Sequence, residues 1–383
     1  MLMKCLFWSC LFLMGYSYIG YPLVLAVACR LQRLFRRERP IAPEESTEWP
    51  RVTMLVAAYN EAAVIQDKIQ NSLAIDYPAD RLRVVIASDG SSDATNSLVS
   101  ACTDPRIQLI GYTQRRGKIG TLNATIPNLE DEIIVMSDAN TMYAPDAVKK
   151  LVRHFADERI GCVCGELILE DPNGGGSGEG LYWKYETLLK RMESRLGFLL
   201  GATGGIFAIR KSLFRPLPPT TIVEDFVTAM KILEDGHRVR YEPTARATEY
   251  TAPTVRDEMK RKSRIGAGGF QALGLTAPML NPLRGMPALG YWSHKVLRWV
   301  VPFLMLGALL SSAALAAQPL YALFLGAQLL SVAIGLEGLG PGKMDLRLIR
   351  PVRYFFLMNL ALFIGFFRFL RGTQRVTWEQ ARG

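Results

Sequence analysis

Apolar residues follow two different rhythms along the chain. Residues 5 to 29, CLFWSCLFLMGYSYIGYPLVLAVAC, carry no charge over a length that spans a hydrocarbon core. Three more mainly apolar stretches come late, at about 297 to 317, 319 to 338 and 352 to 370, and AAQPLY between the first two predicts a tight hairpin. The first stretch has no small-residue cleavage site at its end and is long for a signal-peptide core, so it reads as a retained anchor. Between anchor and late stretches, about 50 to 290, apolar runs are short and separated by polar segments, as in a water-soluble domain.

Within that middle region the period alternates. RVTMLVAAYNE is a β-branched and apolar run, AAVIQDKIQNSLAI has helical spacing at Val64, Ile65, Ile69 and Leu73, and RLRVVIASDG returns to strand. Strand, helix and strand in so few residues make a parallel βαβ unit. A helix near 92 to 101, a strand at RIQLIGY, a helix after Lys118 and a strand at IIVMS continue the alternation. The expected fold class is therefore α/β, doubly wound at least over about 50 to 140, with ligands bound beyond the carboxyl ends of the strands.

The polar residues stand at those ends. Tyr59, Asn60 and Glu61 follow the first strand, Asp89 and Asp93 the second, and Asp138 and Asn140 a later one. Oxygen donors of this kind suit a hard divalent cation, Mg²⁺ or Mn²⁺, that also shares substrate phosphates. Spacing alone serves equally well for a turn cap at Asp138 or Asn140.

Charge adds an orientation. The net charge is +10, and Arg30, Arg33, Arg36, Arg37 and Arg39 follow the anchor, whereas only Lys4 precedes it. The positive-inside rule then puts the middle domain in the cytoplasm. Basic residues abutting a span point to membrane lipids rather than nucleic acid. Three late spans would leave the tail outside, yet Arg368, Arg371, Arg375 and Arg382 make it basic, so one stretch is expected to lie in the interface or re-enter.

Other features carry less chemistry. Cys5, Cys10 and Cys29 belong to the anchor; Cys102, Cys162 and Cys164 lie in the middle domain, and RIGCVCGELIL reads as a core strand without a zinc set. His154, His237 and His294 are scattered, and no nucleophile elbow is present. DPNGGGSGEG lacks a phosphate-loop ending and reads as a loop that could cover a site. YWKYETLLKRMESRLGFLLG, about 182 to 201, and residues 266 to 292 suit either a membrane interface or plain core packing.

Six segments in order resemble the membrane-embedded family 2 glycosyltransferases, the inverting GT-A enzymes that include cellulose synthase-like and exopolysaccharide transferases. AAYNE and SDGSSDAT resemble the two nucleotide-binding segments, with Asp89 placed at the nucleoside. RRGKIGTLNATI resembles the Gly-Lys segment, SDAN stands for Asp-x-Asp, GATGGIFAIRK resembles the glycine-rich acceptor segment, and TIVEDFVTAM resembles Thr-Glu-Asp. The resemblance implies a Rossmann-like GT-A domain over 50 to 290, an anchor and basic segment over 1 to 49, and about three C-terminal helices with a tail over 291 to 383.

It further implies sugar transfer, with inversion, from a nucleotide-diphosphate donor to a lipid-linked or growing polysaccharide acceptor. The site would hold Asp225 as general base beside Glu224; Tyr59, Glu61, Asp89, Lys118, Asp138 and Arg264 on the nucleotide-sugar; Gly204, Gly205 and Arg261 on the acceptor; and Asp138 with Asn140 on Mg²⁺ or Mn²⁺. The expected location is the bacterial inner membrane, with membrane lipids and subunits of a polysaccharide assembly system as expected partners. Two departures qualify this. Asn140 replaces the second Asp of Asp-x-Asp and brings no charge. In RKSRIGAGGFQAL, Arg264 is kept, but Arg261 and Ile265 replace the Gln and Trp of the processive signature. The alternatives are a processive synthase and an idle membrane component of a secretion complex. The residues alone also allow Glu224 and Asp225 to be no more than dipole-favoured acids opening a helix.

Overall fold

The computed structural model describes residues 1–35, 48–170, 179–250, 255–337 and 349–374. Arg36, Arg37, Arg39, Arg375 and Arg382 lie outside them, as does most of the glycine-rich loop at 171–178. The chain divides into two compact units, one of Gln32–Gly174, Glu193–Thr251 and Arg375–Gly383, the other of Met1–Leu31, Gly175–Met192 and Ala252–Gln374.

The first unit is built on an eight-stranded sheet. Its strands are β1 (Val52–Ala58), β2 (Leu82–Asp89), β3 (Ile107–Tyr112), β4 (Ile133–Asp138), β5 (Met142–Tyr143), β6 (Ile160–Glu170), β7 (Phe207–Arg210) and β8 (Arg238–Tyr250). The spatial order is β3-β2-β1-β4-β7-β6-β8-β5. The first four strands are parallel, as their alternation with helices dictates. Beyond β4 the sheet turns mixed: β7 runs antiparallel to both β4 and β6, while β6 and β8 are parallel to each other.

Register sets up the site. Ala57 of β1 is level with Ala87 of β2 on one side and with Asp138 of β4 on the other. The loops leaving β1, β2 and β4 therefore emerge together at one edge. Beneath them Met54, Val56, Val84, Ile86 and Val135 are buried in one core, with Ile65 and Ile69 of the helix Ile65–Leu73 packed in the same cluster. Strands covered on both faces read as continuous apolar runs, which is why VTMLVAA and VVIAS show no alternation. Cys162 and Cys164 are buried thiols of β6, in keeping with a packing role.

The second unit is helical. Four helices among the described residues are long and apolar enough to cross a membrane: Leu2–Leu34, Met286–Ala314, Pro319–Glu337 and Arg350–Leu370. The first contains a π-helical turn at Tyr16–Gly20, and another, Tyr291–Val296, leads into the helix Leu297–Ala314. The two turns are joined through Tyr16 Oη and Ser293 Oγ at 2.8 Å.

Residues 266 to 292, which suit interface or core equally by pattern, belong to this unit. Phe270 packs on Phe366, Phe369 and Trp299. A Cβ at Gly365 would meet the Ser263 carbonyl oxygen at 2.6 Å, so the helices Val255–Leu275 and Arg350–Leu370 cross at backbone contact, a geometry small residues permit. Glu186, His294 and Arg298 form a buried ionic group there, with Arg298 also donating to Tyr185 Oη at 2.9 Å.

Candidate active site

The loops at the shared edge are tied together by their own side chains. Asn60 has a left-handed backbone, φ 53°, which an Asn adopts more readily than most residues. Its side-chain oxygen accepts from the Ser92 amide at 2.8 Å, and its own amide donates to Ser91 Oγ at 3.1 Å. Asp93 accepts from the Ala62 amide and from both the amide and hydroxyl of Thr95. Burial works against the Asp93 charge, but those hydrogen bonds outweigh it and hold the carboxyl below its ordinary value. Glu61 is buried and its amide donates to Thr95 Oγ1 at 2.8 Å. Tyr59 lies under the Arg115 guanidinium, 3.8 Å from ring centroid to Cζ.

Asp89 has a defined structural task. Its two oxygens accept from the backbone amides of Arg116 and Gly117 at 2.6 and 2.8 Å, at the start of the helix Gly117–Thr125. That bond fixes where Lys118 begins. The Lys118 ammonium reaches Asp138 Oδ1 at 2.7 Å and Glu224 Oε1 at 2.6 Å. Burial alone would lower its pKa, yet the two carboxylates hold it above the ordinary lysine value.

Glu224 opens the helix Glu224–Glu234, and Asp225 follows it, so both occupy the dipole-favoured first turn that the sequence allows. They do more than open a helix, because Glu224 closes the ion pair with Lys118. Asp225 is pushed up to about 7, first by burial and then by the Glu224 charge, with Lys118 opposing the rise. A carboxyl poised near neutrality is suited to take up a proton.

The glycine pair explains itself beside these groups. A Cβ on Gly204 would stand 3.1 Å from Asp225 Oδ2, and one on Gly205 would meet Thr141 Oγ1 at 2.8 Å. The segment GATGG therefore passes directly between the Asp225 carboxyl and the turn after β4. Neither Asp138 nor Asn140 caps that turn with its side chain. The turn closes through its backbone, from the Thr141 amide to the Asp138 carbonyl at 3.2 Å.

The residues fit a divalent cation. Asn140 donates through its amide nitrogen to Glu249 Oε1 at 2.8 Å, and its carbonyl oxygen is buried without a hydrogen-bond partner. Asp138 stands two residues before it, already attracting a cation in the form of the Lys118 ammonium. Two hard oxygen donors are too few for a closed protein cage, and no cluster of three or more His, Cys, Asp or Glu side chains suited to a metal occurs among the described residues. An ion held by two protein oxygens would complete its shell with phosphate and water.

Arg261 and Arg264 lie on the helix Val255–Leu275 of the other unit, where Arg261 pairs with Glu258 at 2.9 Å. The remaining expected residues, Tyr59, Glu61, Asp89, Lys118, Asp138, Asn140, Gly204, Gly205, Glu224 and Asp225, all belong to the sheet unit. Lys68, Thr141 and Glu249 contribute without having been singled out from the sequence. Glu249 carries no motif, but Lys68 does leave a trace: it sits three residues after Ile65, within an apolar helical face.

Comparisons with known proteins support the fold and the enzyme class. Residues 53–217 match the family described as Glycosyl transferase family 2. The poly-beta-1,6-N-acetyl-D-glucosamine synthase of Staphylococcus aureus (strain COL) is 26% identical over 235 residues, 58% of this chain and 55% of that protein. The synthase of the same name from Staphylococcus epidermidis is 23% identical over 274 residues, 66% of this chain and 65% of that one. The chain thus spans little more than half the length of the first of these relatives. Among solved structures, the mannosyltransferase PcManGT from Pyrobaculum calidifontis, in complex with GDP-Man and Mn²⁺, superposes with a TM-score of 0.72 at 26% identity, covering 95% of this chain and 99% of that one. By sheet order and likeness, residues 53–217 match glycosyl transferase family 2, and the chain has the GT-A fold of a glycosyltransferase.

Proposed function

We propose that this chain transfers a sugar from a nucleoside-diphosphate donor to a hydroxyl of a lipid-linked or growing glycan, inverting the anomeric centre. The observation that carries this reading is the Asp225 carboxyl, raised to about 7, beside the Asp138–Lys118–Glu224 ion pairs at the carboxyl edge of the sheet. The acceptor oxygen attacks the anomeric carbon, its proton passes to Asp225, and the bond to the diphosphate oxygen breaks. Lys118 is aimed at the charge that develops on the departing diphosphate. Asp138 and Asn140 would hold Mg²⁺ or Mn²⁺, and a divalent cation supplies Lewis-acid stabilisation to the leaving group when bound. The presence of GDP-Man and Mn²⁺ in the similar mannosyltransferase supports both donor class and metal.

Tyr59, Glu61 and Asp89 shape the donor end, Asp89 by seating the helix that carries Lys118. Arg264 is assigned to the diphosphate and Arg261, with Gly204 and Gly205, to the acceptor, on their motif positions alone. Four apolar helices and the arginines after the first one favour a multi-pass protein of the bacterial inner membrane with its sheet unit in the cytoplasm.

A processive synthase is the second reading, favoured by the names of the staphylococcal relatives. Single addition is preferred because likeness extends along nearly the whole of a mannosyltransferase of similar length, and because Ile265 offers no aromatic face to a sugar. A product-length assay separates the two: a ladder of long chains supports the synthase.

The direct test is nucleoside-diphosphate release by the full chain in lipid, across a panel of sugar nucleotides, with lipid acceptor and with Mn²⁺, Mg²⁺ or chelator. Release from one donor class that needs both metal and acceptor is the expected result. Equal background with every donor would favour a binding component without transferase activity.

Gly204 provides a finer check. In Gly204→Ala the new methyl group displaces the Asp225 carboxyl by a few tenths of an ångström, and kcat should fall about 10- to 100-fold, since small misplacements of reacting groups cost that much. Donor binding and the melting temperature should change little. An unaltered kcat would remove the base from this position.

A further inference from the structure

Lys68 lies on the helix Ile65–Leu73 and is completely buried. Among the described residues no carboxylate comes within ion-pair distance of it. Its ammonium donates instead to Ser137 Oγ at 2.7 Å and to the Thr141 carbonyl at 2.5 Å, and lies 4.9 Å from the centroid of the Tyr143 ring. Ser137 Oγ in turn donates to the Asp138 carbonyl at 3.2 Å. One turn along the same helix, Asn71 donates to the Tyr143 carbonyl and accepts from the Tyr143 amide, each at 2.9 Å. Tyr143 Oη closes the assembly on the Met136 carbonyl at 2.8 Å.

A single helix thus grips both ends of the segment 137–143, and the two oxygen donors Asp138 and Asn140 lie inside that grip. Burying an amino group away from water is expensive, and it is offset here by bonds to that segment. A leucine or methionine would fill the space without that expense, so core packing does not account for a lysine.

We propose that Lys68 is a positioning residue that clamps the turn after β4, holding Asp138 and Asn140 at the separation a divalent cation and its diphosphate require. The proposal rests on the transferase reading of the site. Groups that orient metal ligands without touching the metal are worth about 10- to 100-fold in metal affinity. Asn140, being neutral, makes the site more dependent on geometry than a pair of carboxylates would be. A positive charge near the cation acts in the opposite sense and would weaken binding. The sign of the effect of removing Lys68 therefore separates clamp from charge.

The experiment compares wild type, Lys68→Met and Ser137→Ala as full chains in lipid. Mn²⁺ binding is followed by electron paramagnetic resonance with and without nucleoside diphosphate, and amide hydrogen exchange is followed across 136–143. Lys68→Met should weaken Mn²⁺ about tenfold or more and speed exchange in 136–143 while leaving β1 and β2 unchanged. Ser137→Ala keeps the lysine and should shift both readouts the same way by about two- to threefold, which keeps the test open if the methionine variant fails to fold. Unchanged or tighter Mn²⁺ binding in both variants, or unchanged exchange, overturns the clamp. Absence of Mn²⁺ binding by wild type, with or without nucleotide, defeats the transferase reading first and this inference with it.

Discussion

Asp225→Asn should lower kcat by about 10²- to 10⁴-fold, the range supplied by a positioned general base, with donor affinity unchanged within a few fold. The amide preserves size and the bond that Asp225 Oδ1 accepts from the Phe226 amide at 2.8 Å, so the loss is of proton acceptance rather than of shape. The pH profile gives the second signature. A base at Asp225 would act only when deprotonated, and burial with the Glu224 charge pushes its carboxyl up to about 7. Wild-type kcat/KM should therefore rise about tenfold per unit at acid pH and level off above neutrality, whereas residual activity of the variant should lack that limb. A matching limb in the variant would assign the titration to another group.

The same carboxyl has a consequence for stability. Its pKa is raised from 3.8 on folding, so between those values the native state binds more protons than the unfolded one, and stability falls as pH rises through the window up to about 7. Above it, the charged carboxylate is a standing cost that Asn removes. Asp225→Asn should then melt higher than wild type at pH 8, by on the order of 1–2 kcal/mol after allowance for partial solvent screening. A variant that is more stable and far less active is the pattern expected of a strained functional group.

Much of this centre is readable in the sequence because parallel strands buried on both faces write themselves as apolar runs, and each run stops where the chemistry starts. AAYNE, SDG and SDAN mark three such stops, and register brings them level. The second half of the sheet is not legible in the same way. β7 has four residues and β5 two, too short for any period, and their antiparallel pairing depends on partners far along the chain. Lys68 hides because a lysine in an apolar stripe is ordinarily read as reaching out to water. Glu249 hides because its bond to Asn140 joins residues 109 positions apart. Asp89 is legible as important, but its bonds to the Arg116 and Gly117 amides are a matter of loop geometry that no motif contains.

Lys118→Met should move rate and metal affinity in opposite directions. The Lys118 ammonium neutralises Asp138 and Glu224 and lowers the Asp225 pKa, so its loss leaves three neighbouring carboxyl groups without their cation. Removing one fixed charge from the path of a departing diphosphate costs about 10²- to 10³-fold in kcat. The acid limb of the pH profile should shift to higher pH than in wild type, because the opposing influence on Asp225 is gone. Mn²⁺ binding without nucleotide should meanwhile tighten, since the ammonium and the metal compete for Asp138. Electron paramagnetic resonance titration beside a pH–rate series reads both. A drop in rate with weaker Mn²⁺ binding and an unmoved limb would mean that Lys118 only supports the fold. Tighter binding, slower turnover and a shifted limb would mean that the lysine occupies the cation's place until the substrate arrives, and that the site couples loading of the donor to release of its base.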